Sequence, residues 1–291
     1  MNHSYTQIMS LPDSYGIKKI VRQWENLSEN LERLLPEMPV LLPDLFMTAE
    51  YGVGRTLILR YLAEYLSSRK NLMDFYGDVK YFEFQVNYRK PEEQFTELPR
   101  LMENISAAAG FRSEYRGIVC LDVHEWLGHC DEKYFMELLE YIADNSDRWL
   151  VIFTVSQGSE TDLKNMEAIL SMFLRIERTS LCLPETEVLL AHVCDGLADY
   201  NIHLAGDAMK LLAASIDKLR ENRYFDGYKT LNLLICDIVY QLYSRKAFDQ
   251  RKISAKDLAD FAADGSYIRN RISHYETKKR YAIGFTGGEQ K

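Results

Sequence analysis

The segment 48–56 constrains this chain more than any other part of its sequence. It has the sequence Thr-Ala-Glu-Tyr-Gly-Val-Gly-Arg-Thr. In the pattern G-x-x-x-x-G-K-[ST], the glycines let backbone N–H groups curl around phosphates, the lysine reaches the β- and γ-phosphates, and the hydroxyl holds Mg²⁺. Gly54 and Thr56 match this pattern, whereas Ala49 replaces the first glycine and Arg55 replaces the lysine. The segment is therefore interpreted as a phosphate-binding loop with two altered positions.

The segments on either side support this interpretation. Residues 40–47 end in an apolar stretch that predicts a short buried strand, and residues 57–66 have apolar side chains at helical spacing. A strand, a glycine loop and a helix in this order direct the N-terminus of the helix at an anion. The residues expected to bind a nucleotide in this loop are Gly52, Val53, Gly54, Arg55 and Thr56.

Composition limits the class of protein. The 291 residues are enough for two domains, and 47% of them are hydrophobic, so the chain can form a sizeable core. The net charge of −8 argues against a dedicated nucleic-acid binder. No apolar run approaches the roughly 20 residues of a membrane helix, and the N-terminus shows no secretory signal. The five cysteines are scattered and odd in number, which is typical of reduced thiols, so we expect a cytoplasmic protein.

Strands alternate with helices along the first two-thirds of the chain. Near-continuously apolar strands in such an alternation predict a parallel sheet that is covered on both faces. The expected fold class is therefore α/β, with a five-stranded parallel sheet flanked by helices and followed by a small all-helical lid. Besides the strand before the loop, the predicted strands are 79–86, 117–121, 149–155 and 179–183.

The pattern changes to almost continuous helix after Pro184, which places a domain boundary there. The predicted organisation is an N-terminal helix in 1–36, an α/β nucleotide-binding domain in 37–184, a helical lid in 185–283 and a disordered tail in 284–291.

A P-loop α/β domain followed by a small helical domain resembles the AAA+ ATPases, over roughly residues 15–263. The segment Ser-Tyr-Gly-Ile-Lys-Lys-Ile-Val-Arg-Gln at 14–23 is similar to the helix that precedes the P-loop in the rubisco-activase-like branch. Residues 252–261 are similar to the short strand and helix that often close an AAA+ lid. Because nearly every motif has lost a residue, the chain is identified as a degenerate member of this superfamily.

The resemblance implies an acidic pair at the end of the strand 117–121. In the family, an aspartate there supports Mg²⁺ through water, and the next residue, a glutamate, polarises the attacking water. Asp122 matches the aspartate, but Val123 stands at the glutamate position. Glu125 is the nearest candidate for a base; the alternative is that it is a solvated acid at a helix N-terminus, where the helix dipole favours it.

The resemblance also implies a polar sensor and an arginine supplied from a neighbouring subunit. The sensor falls on Thr154 or Ser156, of which we take Ser156; a strand-end serine that satisfies a turn is the alternative. Arg175 is the candidate arginine, and its role in trans would require an oligomer; the alternative is a surface charge. In the lid, Thr230 stands at the sensor-arginine position, and the adjacent Lys229 is expected to supply the positive charge.

These features imply the following site. The implied catalytic residues are Asp122, Glu125, Ser156 and Arg175; the nucleotide-binding residues are those of the loop with Lys229; and Thr56 and Asp122 hold Mg²⁺ through the nucleotide.

The implied cofactors are ATP or ADP with Mg²⁺. Because the altered positions lie where hydrolysis needs them, the sequence predicts a nucleotide-binding protein with weak or absent hydrolysis. Such a protein would be an assembly or regulatory factor that acts on a protein partner and forms a homo-oligomer. One alternative is an active AAA+ ATPase that remodels a protein partner. A second is a nucleic-acid-associated adaptor that uses the basic segment 269–280.

Overall fold

The computed structural model of this chain describes residues 3–35, 40–73, 78–88, 99–107, 117–144, 149–222, 225–245 and 252–273. Its contacts divide the chain into two compact units. The first comprises Met1–Glu50 and Gly54–Cys182, and the second comprises Tyr51–Val53 and Leu183–Lys291. The predicted tail at 284–291 lies outside the described residues.

The first unit is built on a sheet of five strands in the order β2-β3-β4-β1-β5. All four pairings between neighbouring strands are parallel, which confirms the predicted sheet. Every residue of β4 is buried, as expected for a central strand of a parallel sheet. The strands are β1 (Asp44–Ala49), β2 (Lys80–Gln85), β3 (Gly117–Asp122), β4 (Trp149–Val155) and β5 (Ile176–Leu181).

The last strand begins earlier than predicted. β5 starts at Ile176, whereas the apolar pattern predicts a strand at 179–183. Its first residues include the charged Glu177 and Arg178, so this part of the strand does not form an apolar run. Parallel pairing with β1 along all six residues forms the strand despite these charges, because β5 is at the edge of the sheet and only partly buried.

Helices cover both faces of the sheet. On one face, α6 and α7 pack with alternate strand residues such as Leu121 and Phe153 in a continuous apolar cluster. The other alternate residues point to the opposite face, where α3 contacts β2 and β3. The helices are α1 (His3–Met9), α2 (Ile17–Leu34), α3 (Arg55–Ser68), α4 (Lys70–Met73), α5 (99–107), α6 (Lys133–Ala143) and α7 (Glu160–Phe173), with a 3₁₀ turn at His124–Trp126.

The second unit is helical and has its own apolar core, which includes Leu212, Leu234 and Ile238. A short parallel bridge joins Leu204 to Ile253. Its helices are α8 (Thr186–Ala198), α9 (Gly206–Arg220), α10 (Gly227–Tyr243) and α11 (266–273), with a 3₁₀ segment at Ala255–Phe261. A helical region thus follows the sheet, as the sequence predicts.

A carboxyl group is buried at the start of β1. Asp44 is 7% exposed, and its Oδ1 accepts a hydrogen bond of 2.7 Å from the N–H of Val151 in β4. Burial raises the pKa of Asp44 from 3.8 to about 7, although the hydrogen bond lowers it. The folded state therefore binds a proton at this site over a pH range in which the unfolded chain does not.

We expect this carboxyl group to make stability fall as pH rises. Because the folded pKa lies above the unfolded value, the free energy of unfolding decreases between about pH 4 and pH 7, by at most about 4 kcal/mol. Asp44→Asn keeps an acceptor oxygen and removes the charge, so it should flatten this dependence. Urea unfolding at pH 5 and pH 8 measures it, with the exposed Asp13→Asn as the control. Equal pH dependence in wild type and Asp44→Asn would contradict the assignment.

Candidate functional site

The loop between β1 and α3 depends on two glycines. Gly52 has a φ of 74° and Gly54 a φ of 83°, both in the left-handed region that residues with a Cβ rarely adopt. Gly54 directly precedes the first turn of α3. Ala49, at the position of the motif's first glycine, is the last residue of β1 and is buried.

Residues 51–53 of the loop belong to the second unit. There the carbonyl of Gly52 accepts a hydrogen bond of 3.0 Å from the N–H of Tyr228. A Cβ on Gly52 would lie 2.0 Å from the carbonyl atoms of Asp226, so this approach requires glycine. The Thr230 hydroxyl accepts a hydrogen bond from the N–H of Asp226, and Lys229 is largely exposed, with its Nζ 3.6 Å from the Asp226 carboxylate.

Arg55 is the first residue of α3, and its guanidinium binds groups of the protein itself. Its Nη1 donates to Oδ2 of Asp122 at 3.1 Å and to Oγ1 of Thr154 at 3.0 Å. Asp122 and Thr154 are register partners at the carboxyl ends of β3 and β4. The Nε atom of Arg55 lies 3.5 Å from Oε2 of Glu83 in β2. The side chain at the lysine position of the motif therefore contacts three adjacent strands.

The other groups expected to support Mg²⁺ also have partners within the protein. The hydroxyl of Thr56 donates to Oε1 of Glu83 at 3.0 Å. The second oxygen of Asp122, Oδ1, accepts from the N–H of His124 at 3.2 Å. Glu83, Arg55, Thr56, Asp122 and Thr154 thus form one connected cluster in the first unit, which we call the Arg55 cluster.

The Arg55 cluster carries two carboxylates and one guanidinium, a formal charge of −1. Burial disfavours the charge of Arg55, but the neighbouring Cys120, the hydrogen bond and charge of Asp122, and the charge of Glu83 outweigh it and raise the pKa of Arg55. Burial is the largest cause that raises the pKa of Cys120 to about 12, so this thiol is neutral at pH 7 and acts on Arg55 as a charge only in the strongly alkaline range. A hydrogen bond to a charged group contributes about 1.5–3 kcal/mol, less where water reaches it.

The structure does not bring Glu125 into the Arg55 cluster. Its Oε2 accepts a hydrogen bond of 2.9 Å from the N–H of Tyr88, and the residue is exposed in a 3₁₀ turn. Val123, at the family's glutamate position, is fully buried in the apolar cluster of the first unit. Its N–H donates to the carbonyl of Thr154 at 2.9 Å, which extends the pairing of β3 with β4.

Of the two sensor candidates, Thr154 belongs to the Arg55 cluster. Ser156, the residue preferred from the sequence, has a buried Oγ with no hydrogen-bond partner among the described residues. Of the two arginines after α7, Arg178 forms ion pairs with Glu160 and Glu167. Arg175 is exposed and donates a long hydrogen bond of 3.5 Å to the carbonyl of Leu41.

Glu83 is a site residue that sequence reasoning missed. It lies in an aromatic-rich strand, directly opposite Cys120 in the register of β2 and β3. Because side chains alternate along a strand, Glu83, Cys120 and Asp122 share one face of the sheet. The available signal was a lone acidic residue at an alternate position of a predicted strand.

Comparison with known proteins rests on structure. No protein-family model matches the sequence, and no curated protein matches it. Caenorhabditis elegans PCH-2 superposes with a TM-score of 0.54 and 14% identity, over 88% of this chain and 69% of that one. The Thermotoga maritima RuvB Holliday junction branch migration motor superposes with a TM-score of 0.51 and 13% identity, over 89% of this chain and 77% of that one. A point mutant of the same RuvB gives a TM-score of 0.52 at 13% identity, over 90% of this chain and 77% of that one.

The chain has the AAA+ P-loop NTPase fold. Identities of 13–14% establish the fold and nothing finer about activity. Within the AAA+ fold, the Arg55 cluster lies at the carboxyl ends of β3 and β4, beside the first turn of α3. No helix among the described residues is long and apolar enough to cross a membrane.

Proposed function

We propose that this protein is an AAA+-like nucleotide-binding protein with weak or absent hydrolysis that acts as an assembly or regulatory factor on a protein partner. One observation carries the proposal: the arginine at the lysine position of the loop binds Asp122 and Thr154. The side chain that would reach the β- and γ-phosphates is instead paired with the aspartate that would support Mg²⁺.

Weak hydrolysis is the proposed consequence of the residues that follow β3. Val123 cannot polarise water, and Glu125 bonds to the backbone of Tyr88. Losing a general base typically lowers a rate by about 10²–10⁴, which is roughly 3–5 kcal/mol of barrier. The active-ATPase alternative would need Glu125 to leave this hydrogen bond and approach the phosphates.

Nucleotide binding relies on groups that survive these changes. The backbone N–H groups at 52–56 lie at the start of a helix of 14 residues, and a helix N-terminus favours anions. The Nη2 group of Arg55 donates no hydrogen bond among the described residues, so it remains available to a phosphate oxygen. We propose Lys229, largely exposed in the second unit, as a further cation for the nucleotide.

A protein partner suits this chain better than a nucleic acid. The net charge of −8 opposes binding to a polyanion. In the basic segment 269–280, Arg271 pairs with Asp237, and residues 274–280 lie outside the described residues. The likeness to the RuvB branch migration motor does not outweigh this charge, because it is a likeness of fold.

We propose an α/β nucleotide-binding domain over 37–184 and a lid over 185–283 in a cytoplasmic homo-oligomer. The exposed Arg175 is the proposed contribution of one subunit to the site of the next.

We expect ADP and ATP to raise the melting temperature of the purified protein. At a concentration about 100-fold above Kd, ligand binding adds roughly 2.7 kcal/mol to the free energy of unfolding. Arg55→Ala should weaken this shift because it removes a phosphate donor, whereas Arg60→Ala, on the same helix, should not. Differential scanning fluorimetry with each nucleotide measures the shift. Absence of any shift at millimolar nucleotide would contradict the binding half of the proposal.

We expect phosphate release below about 0.1 per second, since a median enzyme turns over at about 10 per second and the missing base costs at least about 10² in rate. Val123→Glu alone should restore little, because Arg55 still binds Asp122. A coupled phosphate-release assay on wild type, Val123→Glu and the Val123→Glu/Arg55→Lys double variant measures this. Release of several phosphates per second by wild type would rule out impaired hydrolysis.

A further inference from the structure

We propose that the guanidinium of Arg55 takes the place of the divalent cation in this site, so that the site excludes Mg²⁺ and its ligand is a metal-free phosphate group. The exclusion of metal rests on the Arg55 cluster alone. The identity of the ligand as a nucleotide rests on the proposed function above.

The atoms around the guanidinium are those that Mg²⁺ prefers. Asp122 Oδ2, Thr154 Oγ1 and Glu83 Oε2 lie 3.1, 3.0 and 3.5 Å from nitrogen atoms of Arg55. Carboxylate and hydroxyl oxygens are ligands of hard divalent cations. Thr56, the expected metal-supporting hydroxyl, donates to the same Glu83. A positive charge that belongs to the protein thus already lies among the oxygens that would support the metal.

Mg²⁺ does not fit this arrangement. It requires near-octahedral geometry and usually keeps several waters, and the guanidinium of Arg55 lies in hydrogen-bond contact with the oxygens of Asp122 and Thr154 that a hydrated ion would have to approach. The positive charge of Arg55 also repels a divalent ion placed among the same oxygens. Arg55 cannot relieve the repulsion by losing its proton, because an arginine stays charged in proteins.

The charge of the cluster predicts what happens when the guanidinium is removed. With Arg55, the cluster has a formal charge of −1; without it, Asp122 and Glu83 leave a charge of −2 beside the hydroxyls of Thr56 and Thr154. Among the described residues there is no group of three or more His, Cys, Asp or Glu side chains that could hold a metal ion. If a divalent cation binds only after Arg55 is replaced, we therefore assign it to the carboxylates of Asp122 and Glu83.

Mn²⁺ alone tests the exclusion, because electron paramagnetic resonance measures the free ion directly. Wild type and the control variant Arg60→Ala, which removes one arginine from the same helix, should bind no stoichiometric Mn²⁺. Arg55→Ala should bind one ion per chain, and Arg55→Ala/Asp122→Asn should bind it at least tenfold more weakly. Circular dichroism in EDTA establishes that each variant is folded, and Arg55→Gln replaces Arg55→Ala if the smaller residue prevents folding.

Two results of this experiment would overturn the proposal. One is the binding of one Mn²⁺ per chain by the wild-type protein together with no such binding by the Asp122→Asn variant. The other is a folded Arg55→Ala or Arg55→Gln protein that gains no Mn²⁺. If neither variant folds, the wild-type and Asp122→Asn titrations decide alone: no stoichiometric Mn²⁺ on wild type supports the exclusion.

A nucleotide titration separates this inference from the proposed function. ADP should bind wild type equally in EDTA and in Mg²⁺, within about threefold. Tightening by tenfold or more in Mg²⁺, abolished by Asp122→Asn, would overturn the metal-free ligand and leave nucleotide binding intact. Absence of binding under both conditions would overturn the proposed function, while the Mn²⁺ titration still decides whether Arg55 excludes the metal.

Discussion

The ion pair between Arg55 and Asp122 is the interaction on which the rest of the site depends. Nη1 of Arg55 donates to Asp122 and to Thr154, and so ties the first turn of α3 to the carboxyl ends of β3 and β4. Both partners of the ion pair have side chains about one-third exposed, at 33% and 30%, so water screens the pair without separating it. The guanidinium cannot at once hold these oxygens and lie between the phosphates as a lysine would. Under the proposed function, this pairing limits nucleotide affinity, metal affinity and turnover.

The other altered positions of the family pattern have structural roles of their own. Val123 packs in the apolar core. Thr230, in the first turn of α10, accepts a hydrogen bond from the N–H of Asp226. Ala49 is a buried residue at the end of β1. Burying a glutamate at position 123 without a partner would cost several kcal/mol, so the packing at this position disfavours the glutamate of the family pattern. The proposed loss of hydrolysis therefore has a basis in packing as well as in side-chain chemistry.

Much of the fold could be predicted from the sequence, because local patterns determine it. The apolar run at β4 and the change of pattern at Pro184 indicate a covered sheet followed by helices. The partners of Arg55 could not be predicted, because they come from three strands that are distant in sequence and adjacent only in the sheet. Glu83 was missed for the same reason: its role follows from the register of β2 on β3, which no local pattern contains. β5 was misplaced by three residues because its charged residues obscure the apolar pattern.

A double-mutant cycle tests the central claim most directly, since it measures the energy of the pair and requires no ligand. Wild type, Arg55→Met, Asp122→Asn and the double variant are unfolded in urea at pH 7, and the coupling free energy is calculated from the four stabilities. We expect a favourable coupling of about 0.5–2 kcal/mol that diminishes in 1 M salt, as is usual for a partly exposed charge pair with a hydrogen bond. A coupling within about 0.3 kcal/mol of zero would show that Arg55 and Asp122 do not interact, and would contradict the central role of this pair.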